Sequence, residues 1–449
     1  MNLFKQSYRI VLCSLAAFTL FAFQLGSLAA PAILVTPLKP GGIYELGDTV
    51  GWVVTLPEGS PVEGPFGEGP FGFTVKKNNA VVMRSGNLEF KDGKATIEVK
   101  VDEPAMLYAQ ITPPAEEVAM RQRPMVFGAV VAPTKLRPVQ LRPHDFDSFW
   151  KSKIERLEAI PMNPELTPKD SGNPDVEYAT IRMDHVNGSH VYGQLAKPKR
   201  EGKFPAMVIY QWASPPYPLQ RSWVTDRARE GWLVLNIEPH DVLPDAPQSY
   251  YRALPSELKN YGAIGIEDRE KCYFLQMYLA DYRAVDYIAS RPDWDGKTLV
   301  VTGTSMGGQQ SVVVAGLHPR ITHVVVNEPS GCDLNAVEHG RSVGYPFFPP
   351  NNPKAAATAP YFDAINFASH IRATALVAMG FVDTIAPPAG IWTAFNQIRG
   401  KKEAAPMFDS PHNNTATPAQ QRPFTARSAE WFAALMKGER IPRKTEVTR

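Results

Sequence analysis

The sequence predicts an α/β protein, with a mostly parallel sheet covered by helices on both faces, preceded by a small N-terminal β-sandwich domain. Three observations predict this class. After Pro133, apolar strand-like runs alternate with helical stretches, which is the pattern of a parallel sheet between helices. Before Pro133, six or seven short strand-like runs divided by Gly and Pro fall within about 100 residues. In the second region, a Gly-X-Ser-X-Gly motif joins a strand-like run to a helical one.

The composition is that of a folded protein with a balanced surface. The chain has 449 residues, too many for one ordinary compact domain, and 44% of them are hydrophobic. Lys and Arg number 47 and Asp and Glu number 45, which gives a formal net charge of +2. Because the charges balance, neither nucleic acid nor an anionic membrane is expected as a partner.

Residues 1–30 have the order of a secretory signal peptide. Lys5 and Arg9 precede an apolar run from Ile10 to about Leu28, and small residues follow. A retained transmembrane anchor is the alternative, since about 19 apolar residues could span a bilayer. Polar and small residues interrupt the end of the run, which favours cleavage. We therefore predict export, to the periplasm or the medium, with no membrane partner for the mature chain.

Residues 31–135 are predicted to form the β-sandwich. Lys91–Lys94 carries an Asp-Gly pair, which predicts a hairpin turn. A packing or spacer role is favoured for this domain over a binding role, because no aromatic platform is evident in it. The strand-like runs are Ile43–Leu56, Phe73–Val75, Ala80–Met83, Leu88–Phe90, Ala95–Val101, Ala105–Ile111 and Met125–Val131.

Residues 136–449 are predicted to form the α/β domain. Asp145 is expected to cap a helix that runs to about Ala159. Further helices are expected at Glu267–Ser290, Gly307–Leu317 and Thr425–Met436. The predicted strands are Tyr178–Met183, Val191–Ala196, Ala206–Tyr210, Leu233–Ile237, Leu299–Thr302, His323–Asn327 and Thr374–Met379.

The cysteines favour neither a metal site nor a disulfide framework. Cys272 and Cys332 are the cysteines left after the signal segment, and they could form one bridge or remain two buried thiols. The sequence contains no CxxC motif, no Cys/His pair with zinc spacing and no HExxH motif. No metal and no cofactor are therefore expected.

The motif Gly303–Gly307 predicts a nucleophile elbow with Ser305 as the nucleophile. The strand-like run Leu299–Thr302 precedes it and a helical stretch follows it, which is the context that such an elbow requires in the α/β-hydrolase fold. A second motif of this form, Gly340–Gly344 around Ser342, has no strand before it and no helix after it. We therefore assign catalysis to the first motif.

A serine nucleophile needs a base and an acid, which follow it along the chain in this fold. His412 is the histidine that follows the best acid, Asp383, and it precedes the last helical stretch. Asp383 lies in the loop after the strand Thr374–Met379, where it can orient an imidazole. Three other carboxylates follow strands or lie near the histidine: Glu328, Asp333 and Asp409.

The oxyanion of the tetrahedral intermediate needs backbone N–H donors. The residue after the nucleophile, Met306, supplies one in this fold. The second donor is expected just after the strand Ala206–Tyr210, where Ala213 is favoured and Trp212 is the alternative.

Several short segments, spread over about two thirds of the chain, match the pattern of a known family. They are Arg142–Trp150, Asp281–Tyr287, Ser290–Pro292, Gly303–Gly307, Cys332–Leu334, Tyr361–Ala368, Gly380–Asp383 and Pro387–Pro388. With them the chain resembles the acetyl xylan esterase and cephalosporin C deacetylase family, which are carbohydrate esterases of the α/β-hydrolase fold. In this resemblance the family's nucleophile, acid and base fall on Ser305, Asp383 and His412.

Three positions depart from the family pattern. The family's usual glutamine after the nucleophile is Met306 here, and its Arg-Gly-Gln signature is replaced by Glu238–Asp241. The glutamate that normally follows the catalytic histidine is Asn413. None of these changes touches a residue of the triad.

The sequence therefore predicts an exported serine esterase that hydrolyses acyl esters through an acyl-enzyme. The resemblance implies acetyl esters on a carbohydrate, so the expected substrate is a small-molecule or polysaccharide ester. A peptidase or a broad carboxylesterase of the same fold is the first alternative. A glycan-binding protein without turnover is the second, and the intact triad argues against it.

Overall fold

The computed structural model describes residues 33–57, 71–113 and 124–443. The predicted signal peptide, residues 1–30, lies outside the described residues, so export stays a prediction. Within the described ranges, no helix combines the length and the apolar character that crossing a bilayer requires.

The N-terminal region forms two β-sheets. The strands are β1 (Leu34–Pro37), β2 (Ile43–Tyr44), β3 (Thr49–Thr55), β4 (Gly72–Lys77), β5 (Val81–Asn87), β6 (Lys94–Lys100), β7 (Ala105–Thr112) and β8 (Met125–Val131). A three-stranded sheet has the order β1-β3-β6, and a five-stranded sheet has the order β2-β8-β7-β4-β5.

Alternation of apolar and polar residues explains how these sheets pack. In β6, Ala95, Ile97 and Val99 are buried and the residues between them are exposed. The inward faces of the two sheets share one core, in which the rings of Trp52 and Phe127 lie 5.4 Å apart. This arrangement agrees with a sandwich, and the domain limits at residues 31 and 135 stay predictions.

Two of the predicted strands in this region are wrong in detail. The run Ile43–Leu56 is divided, because Glu45 and Asp48 close a turn between β2 and β3, which belong to different sheets. The run Leu88–Phe90 is not a strand, since pairing in β5 ends at Asn87.

The predicted turn at Lys91–Lys94 is confirmed. The backbone N–H groups of Lys91 and Lys94 each donate to the carbonyl of the other residue. Between them, Asp92 and Gly93 have φ angles of 50° and 72°, the left-handed pair that a type I′ turn requires.

The second region is built on a nine-stranded sheet of order β17-β16-β15-β14-β12-β13-β11-β10-β9. The strands β12 to β17 pair with one another in parallel. The pairs β13-β11, β11-β10 and β10-β9 are antiparallel. The strands are β9 (Glu165–Lys169), β10 (Val176–Asp184), β11 (His190–Pro198), β12 (Phe204–Tyr210), β13 (Leu233–Ile237), β14 (Trp294–Thr304), β15 (His323–Asn327), β16 (Thr374–Gly380) and β17 (Lys402–Met407).

Helices cover both faces of this sheet. They are α1 (Phe146–Glu158), α2 (Ser222–Glu230), α3 (Gln248–Arg252), α4 (Tyr273–Ser290), α5 (Met306–Leu317), α6 (Pro353–Thr358), α7 (Ala364–Ala368), α8 (Pro388–Gln397) and α9 (Pro418–Met436). In β15, Val324 and Val326 pack into the core with α4 and α5, and Val325 packs into the core with α2 and α9. Such burial on both faces explains why the parallel strands read as continuous apolar runs.

The edge strands β9 and β17 and the helices α2 and α8 were not expected from the sequence. All five residues of β9 are exposed, and Pro168 interrupts its pattern. An exposed segment that contains proline shows no strand pattern in the sequence. It forms a strand here because it pairs with β10.

Two helices begin several residues away from the predicted start. The helix expected from Glu267 begins at Tyr273. The helix expected from Thr425 begins at Pro418, where Thr417 and Gln420 form a capping box.

Asp145 lies at the start of α1 as predicted, but its side chain does not cap the helix. Its carboxylate instead accepts hydrogen bonds from the hydroxyl of Tyr361 and from Nη1 of Arg269, which lower the pKa of Asp145 to about 2. The carboxylate therefore ties α1 to two distant segments of the chain.

Cys272 and Cys332 are both buried free thiols. Burial raises the pKa of the Cys272 thiol to about 12, which keeps it protonated at neutral pH.

The five-stranded sheet of the N-terminal region contacts the α/β domain at Gly128 of β8. Its backbone N–H donates to the carbonyl of Phe408 at 2.8 Å. A Cβ atom added at Gly128 would lie 2.5 Å from Cβ of Phe381 and 2.9 Å from its carbonyl oxygen. Only glycine fits this contact, and Phe381 lies two residues before Asp383.

We therefore expect Gly128→Ala to destabilise the protein by about 1–3 kcal/mol, because the methyl group overpacks a backbone contact. Thermal unfolding followed by circular dichroism measures the effect. Gly72→Ala in the same sheet is the matched control, because a Cβ atom there would meet nothing closer than 4.0 Å. Equal unfolding temperatures for the two variants would contradict the proposed close contact.

Candidate active site

Ser305 lies on a strained turn between β14 and α5. Its φ and ψ are 58° and −122°, a backbone conformation that residues other than glycine rarely adopt. A Cβ atom on Gly303 would lie 2.3 Å from the carbonyl carbon of Gly307, and one on Gly307 would lie 2.3 Å from the carbonyl oxygen of Tyr210. The motif therefore requires glycine at both positions, and the strand-turn-helix context expected from the sequence is present.

Backbone hydrogen bonds hold this turn in place. The N–H of Ser305 donates to the carbonyl of Asn327 at 3.0 Å, and the carbonyl of Ser305 accepts from Ser330 and Gln309 at 3.1 and 3.0 Å. The end of β15 therefore fixes the serine from the neighbouring strand. The serine is 6% exposed, so its surroundings are largely dry.

Asp383 and His412 form a buried pair at the same end of the sheet. Nδ1 of His412 lies 2.6 Å from Oδ2 of Asp383. The other oxygen of Asp383 accepts the backbone N–H groups of Ile385 and Ala386, each at 2.8 Å. The carboxylate is thereby fixed in one orientation, with one oxygen directed at the imidazole.

Glu328 places a second carboxylate beside the same imidazole. It follows β15 directly, and its Oε2 lies 3.7 Å from Nδ1 of His412 and accepts the N–H of Asn413 at 2.7 Å. Its Oε1 accepts from Nε2 of Gln421 at 2.8 Å. Glu328 was an alternative to Asp383 in the sequence, and the structure brings both to His412, with the hydrogen bond going to Asp383.

These neighbours shift the acid–base equilibria of the site. Burial would lower the pKa of His412, but the hydrogen bond to Asp383 and the charges of Asp383 and Glu328 raise it above its ordinary value. Burial, reinforced by the charge of Asp383, raises the pKa of Glu328 to about 7. The imidazolium form of His412 is therefore stabilised.

Ser305 is linked to this pair through the backbone. Among the described residues, His412 has its side-chain hydrogen bond with Asp383, and none joins it directly to the hydroxyl of Ser305. The link runs through Asn327, whose carbonyl accepts from Ser305 and whose neighbour is Glu328. In proteins without substrate, catalytic hydrogen bonds are often long and shorten when the substrate binds.

The predicted oxyanion donors lie on two segments that meet at Gly307. Met306 is the first residue of α5 and is fully buried, with the hydroxyl of Tyr261 2.9 Å from its sulfur. Nε2 of Gln310 donates to the carbonyl of Gln211 at 2.9 Å, which holds the chain before Ala213 against α5.

The other candidates from the sequence have different partners. Asp333 forms an ion pair with Arg341 at 2.8 Å. The backbone carbonyl of Asp409 accepts from Gln420. Ser342 lies in irregular chain, where its N–H donates to the carbonyl of Asn78 in the N-terminal region. Neither Asp333 nor Ser342 forms a hydrogen bond or an ion pair with His412 in the described part of the chain.

Gln421 was not identified from the sequence. Its amide nitrogen donates to Glu328 and to the hydroxyl of Ser410, and its oxygen accepts from Asn327, each at 2.8 Å. It therefore connects the start of α9 to the loop that carries His412. A glutamine in the first turn of a helix gives no sequence signal for this role.

A metal ion could be held by the same cluster. One ligand atom each from Glu328, Asp383 and His412 lies within 4.8 Å of the others. Nδ1 of His412 is already used in the hydrogen bond to Asp383, however. The arrangement therefore favours an oriented imidazole over a metal ligand.

Comparison with known proteins gives consistent matches. The family model "Acetyl xylan esterase (AXE1)" matches residues 134–427. "Acetyl esterase Axe7A" of Xylanibacter ruminicola is 30% identical over 329 residues, which cover 71% of this chain and 74% of that protein.

Two solved structures share the fold of this chain over about two thirds of its length. Acetyl xylan esterase from Paenibacillus sp. R4 superposes with a TM-score of 0.57 at 25% identity, over 68% of this chain and 98% of that one. Acetyl xylan esterase 1 from Thermoanaerobacterium sp. JW/SL YS485 has a TM-score of 0.57 at 20% identity, over 68% and 97% of the two chains. The predicted α/β-hydrolase fold is confirmed by these neighbours and by the mostly parallel sheet between helices.

Proposed function

This chain belongs to the acetyl xylan esterase family, and on that premise we propose that it is an exported serine esterase that removes acetyl groups from a carbohydrate through a Ser305–His412–Asp383 triad. Membership makes the chain a carboxylic ester hydrolase and bears out the resemblance found in the sequence. The nucleophile, the base, the acid and the route out of the cell are the parts proposed here.

The observation that carries the triad is the hydrogen bond of 2.6 Å between Nδ1 of His412 and the buried carboxylate of Asp383. This contact fixes the tautomer in which Nε2 is free to accept a proton. The strained turn at Ser305, at the same end of the sheet, supports its role as the nucleophile.

In the proposed reaction Ser305 attacks the ester carbonyl while His412 takes the hydroxyl proton. The tetrahedral intermediate collapses, the sugar hydroxyl leaves with the proton from His412, and an acetyl-enzyme remains. Water activated by the same imidazole then releases acetate. The carboxylates of Asp383 and Glu328 stabilise the imidazolium that forms in each step.

Backbone N–H groups of Met306 and Ala213 are proposed to bind the oxyanion. The N–H of Met306 begins α5, so the positive end of the helix dipole lies at the developing charge. Loss of one such donor costs about 10²–10³-fold in rate in a comparable site.

Two measurements test the proposal. Mass spectrometry after treatment with an organophosphonate probe should find the label on the peptide that contains Ser305. A substrate panel of acetylated xylan, p-nitrophenyl esters of increasing acyl length and aminoacyl anilides should show turnover of acetyl esters and none of the anilides. Label on another serine would overturn the assignment of Ser305, and preferred turnover of the anilides would favour a peptidase.

Export is tested separately from catalysis. The proposal rests on the charged, apolar and small-residue order of residues 1–30. Expression of the full chain in a host with a secretory pathway should yield a mature protein outside the cytoplasm. Its N-terminal peptide, identified by mass spectrometry, should begin near residue 31. A protein that stays in the membrane fraction with its first residues intact would favour the anchor.

We expect Glu328→Gln to shift the acid limb of the kcat/KM profile to lower pH. The acid limb reports protonation of the free enzyme's base, here His412. The positive charge of protonated His412 lowers the pKa of Glu328, and the negative charge of Glu328 in turn raises the pKa of His412. Removing the carboxylate therefore lowers the pKa of His412, and the base stays neutral at lower pH. Initial rates with p-nitrophenyl acetate from pH 4 to 9 measure the shift (a range of about five pH units around the reference pKa of histidine).

Lys437→Gln, which changes an exposed charge at the end of α9, is the control for this profile. Its acid limb should coincide with that of the wild type. A shift of the Glu328→Gln limb to higher pH, or none, would contradict the electrostatic coupling between Glu328 and His412.

A further inference from the structure

An aromatic cluster next to the proposed oxyanion donor Ala213 has no role in the proposed hydrolysis. The rings of Trp212 and Tyr217 are nearly parallel, with centroids 5.6 Å apart and planes at 16°. Trp223 packs edge-on against Trp212 at 5.2 Å. The hydroxyl of Tyr217 donates to Oε1 of Gln211 at 2.8 Å, so the cluster is anchored to the end of β12.

Trp212 presents its ring to solvent. It is 42% exposed, whereas the tryptophans Trp52, Trp150, Trp232 and Trp431 are fully buried. This exposure places Trp212 in the wall of a pocket and not in the core. A large apolar ring that folding does not bury, held in place by two other rings, is typical of a binding surface.

This ring lines a groove that begins beside the nucleophile turn. The groove has a volume of about 520 Å³ and lies between α2 and α9, over β12 and β14. Thr304, which precedes Ser305, lines it together with Ile209 and Phe424. The groove therefore reaches the residue next to the proposed nucleophile, and Gln211 and Trp212, which also line it, come just before the proposed oxyanion donor Ala213.

The rim of the groove is polar. Asp226 and Glu230 of α2 line it and are exposed, and Arg227 lies between them in an ion pair with Glu230 at 2.9 Å. A sugar ring matches this combination, because its C–H face packs on an aromatic ring and its hydroxyls donate to carboxylates.

From the proposed esterase function, which this step presupposes, we infer that Trp212, Trp223 and the acidic rim of α2 form a subsite for a pyranose ring of the carbohydrate chain, next to the sugar that carries the ester. Trp212 is the stacking platform, and Asp226 and Glu230 accept hydrogen bonds from hydroxyl groups. The groove thereby selects esters on an oligosaccharide over esters of small alcohols.

Binding is measured first in the Ser305→Ala background, where no hydrolysis occurs. Intrinsic tryptophan fluorescence or calorimetry with unacetylated xylo-oligosaccharides gives the Kd. We expect Trp212→Ala to raise the Kd about tenfold and Trp212→Phe, which keeps a ring, to raise it less. Phe347→Ala is the control, because Phe347 is exposed but does not line the groove.

Kinetics with the Ser305-containing enzyme provide the second readout. The ratio of kcat/KM for an acetylated xylo-oligosaccharide to kcat/KM for p-nitrophenyl acetate should fall about tenfold in Trp212→Ala, chiefly through KM. An unchanged Kd and an unchanged ratio would overturn the subsite. Failure of the esterase proposal gives a different result, in which neither ester is turned over while the Kd still depends on Trp212.

Discussion

Ser305→Ala is expected to lower kcat on p-nitrophenyl acetate by about 10⁶-fold, the loss found when the nucleophile of a comparable triad is removed. Alanine has no hydroxyl, so no acetyl-enzyme can form, and the remaining turnover comes from the oxyanion donors alone. The fold should persist, because the side chain of Ser305 contributes no hydrogen bond to the turn, which is held by its backbone. Steady-state kinetics and loss of phosphonate labelling measure the effect.

Ser342→Ala is the matched control, because Ser342 lies in the second Gly-X-Ser-X-Gly motif of the same chain. It should keep wild-type kinetics and full labelling. Circular dichroism and the unfolding temperature of both variants exclude a folding defect as the cause. A Ser305→Ala enzyme that retains more than about 1% of kcat would contradict the proposed nucleophile, since residual activity in such variants is far lower.

Asp383→Asn is expected to lower kcat by about 10⁴-fold, as it does in a comparable triad. The asparagine oxygen can still accept from Ile385 and Ala386, which orients its amide nitrogen toward His412. The amide N–H of the asparagine and an N–H at Nδ1 of His412 would then face each other, and two donors cannot form a hydrogen bond. Nδ1 therefore loses its proton and accepts from the amide, and Nε2 carries the proton instead. The imidazole then cannot accept the proton of the nucleophile.

Asp409→Asn provides the comparison, because Asp409 lies three residues before His412 and was a possible acid in the sequence. We expect its kcat to stay within about twofold of wild type, as for a substitution away from the reacting groups. If Asp383→Asn is active and Glu328→Gln is not, the acid is Glu328. This outcome is meaningful because both carboxylates lie at Nδ1 of His412.

Gly128 gives the N-terminal region a physical connection to the loop of the proposed acid, Asp383. It packs directly on Phe381, at the start of the loop that carries Asp383. This contact supports the packing role that the sequence favoured for the N-terminal region. A substitution at Gly128 that also changes kcat would show that the contact positions the proposed acid, Asp383, as well as stabilising the fold.

Local signals in the sequence predicted the turn at Ser305. Glycines at positions 303 and 307 are required by contacts within a few residues and with the adjacent strand, and the strand and helix on either side have strong apolar patterns. The same reasoning predicted β15 and β16, since strands buried on both faces read as apolar runs. The edge strand β9 escaped prediction because its residues are exposed and its order depends on pairing with β10.

The sequence by itself determined the fold class and the bend at Ser305, because both depend on patterns among residues that are near one another along the chain. It also contained the chain order from which Asp383 and His412 were chosen. Only the tertiary structure decided that Glu328 and Gln421, separated by 93 residues, meet beside the imidazole, and that Trp212 is exposed over a groove. Such contacts depend on how the strands and helices pack in three dimensions. Chain spacing and composition do not contain that information.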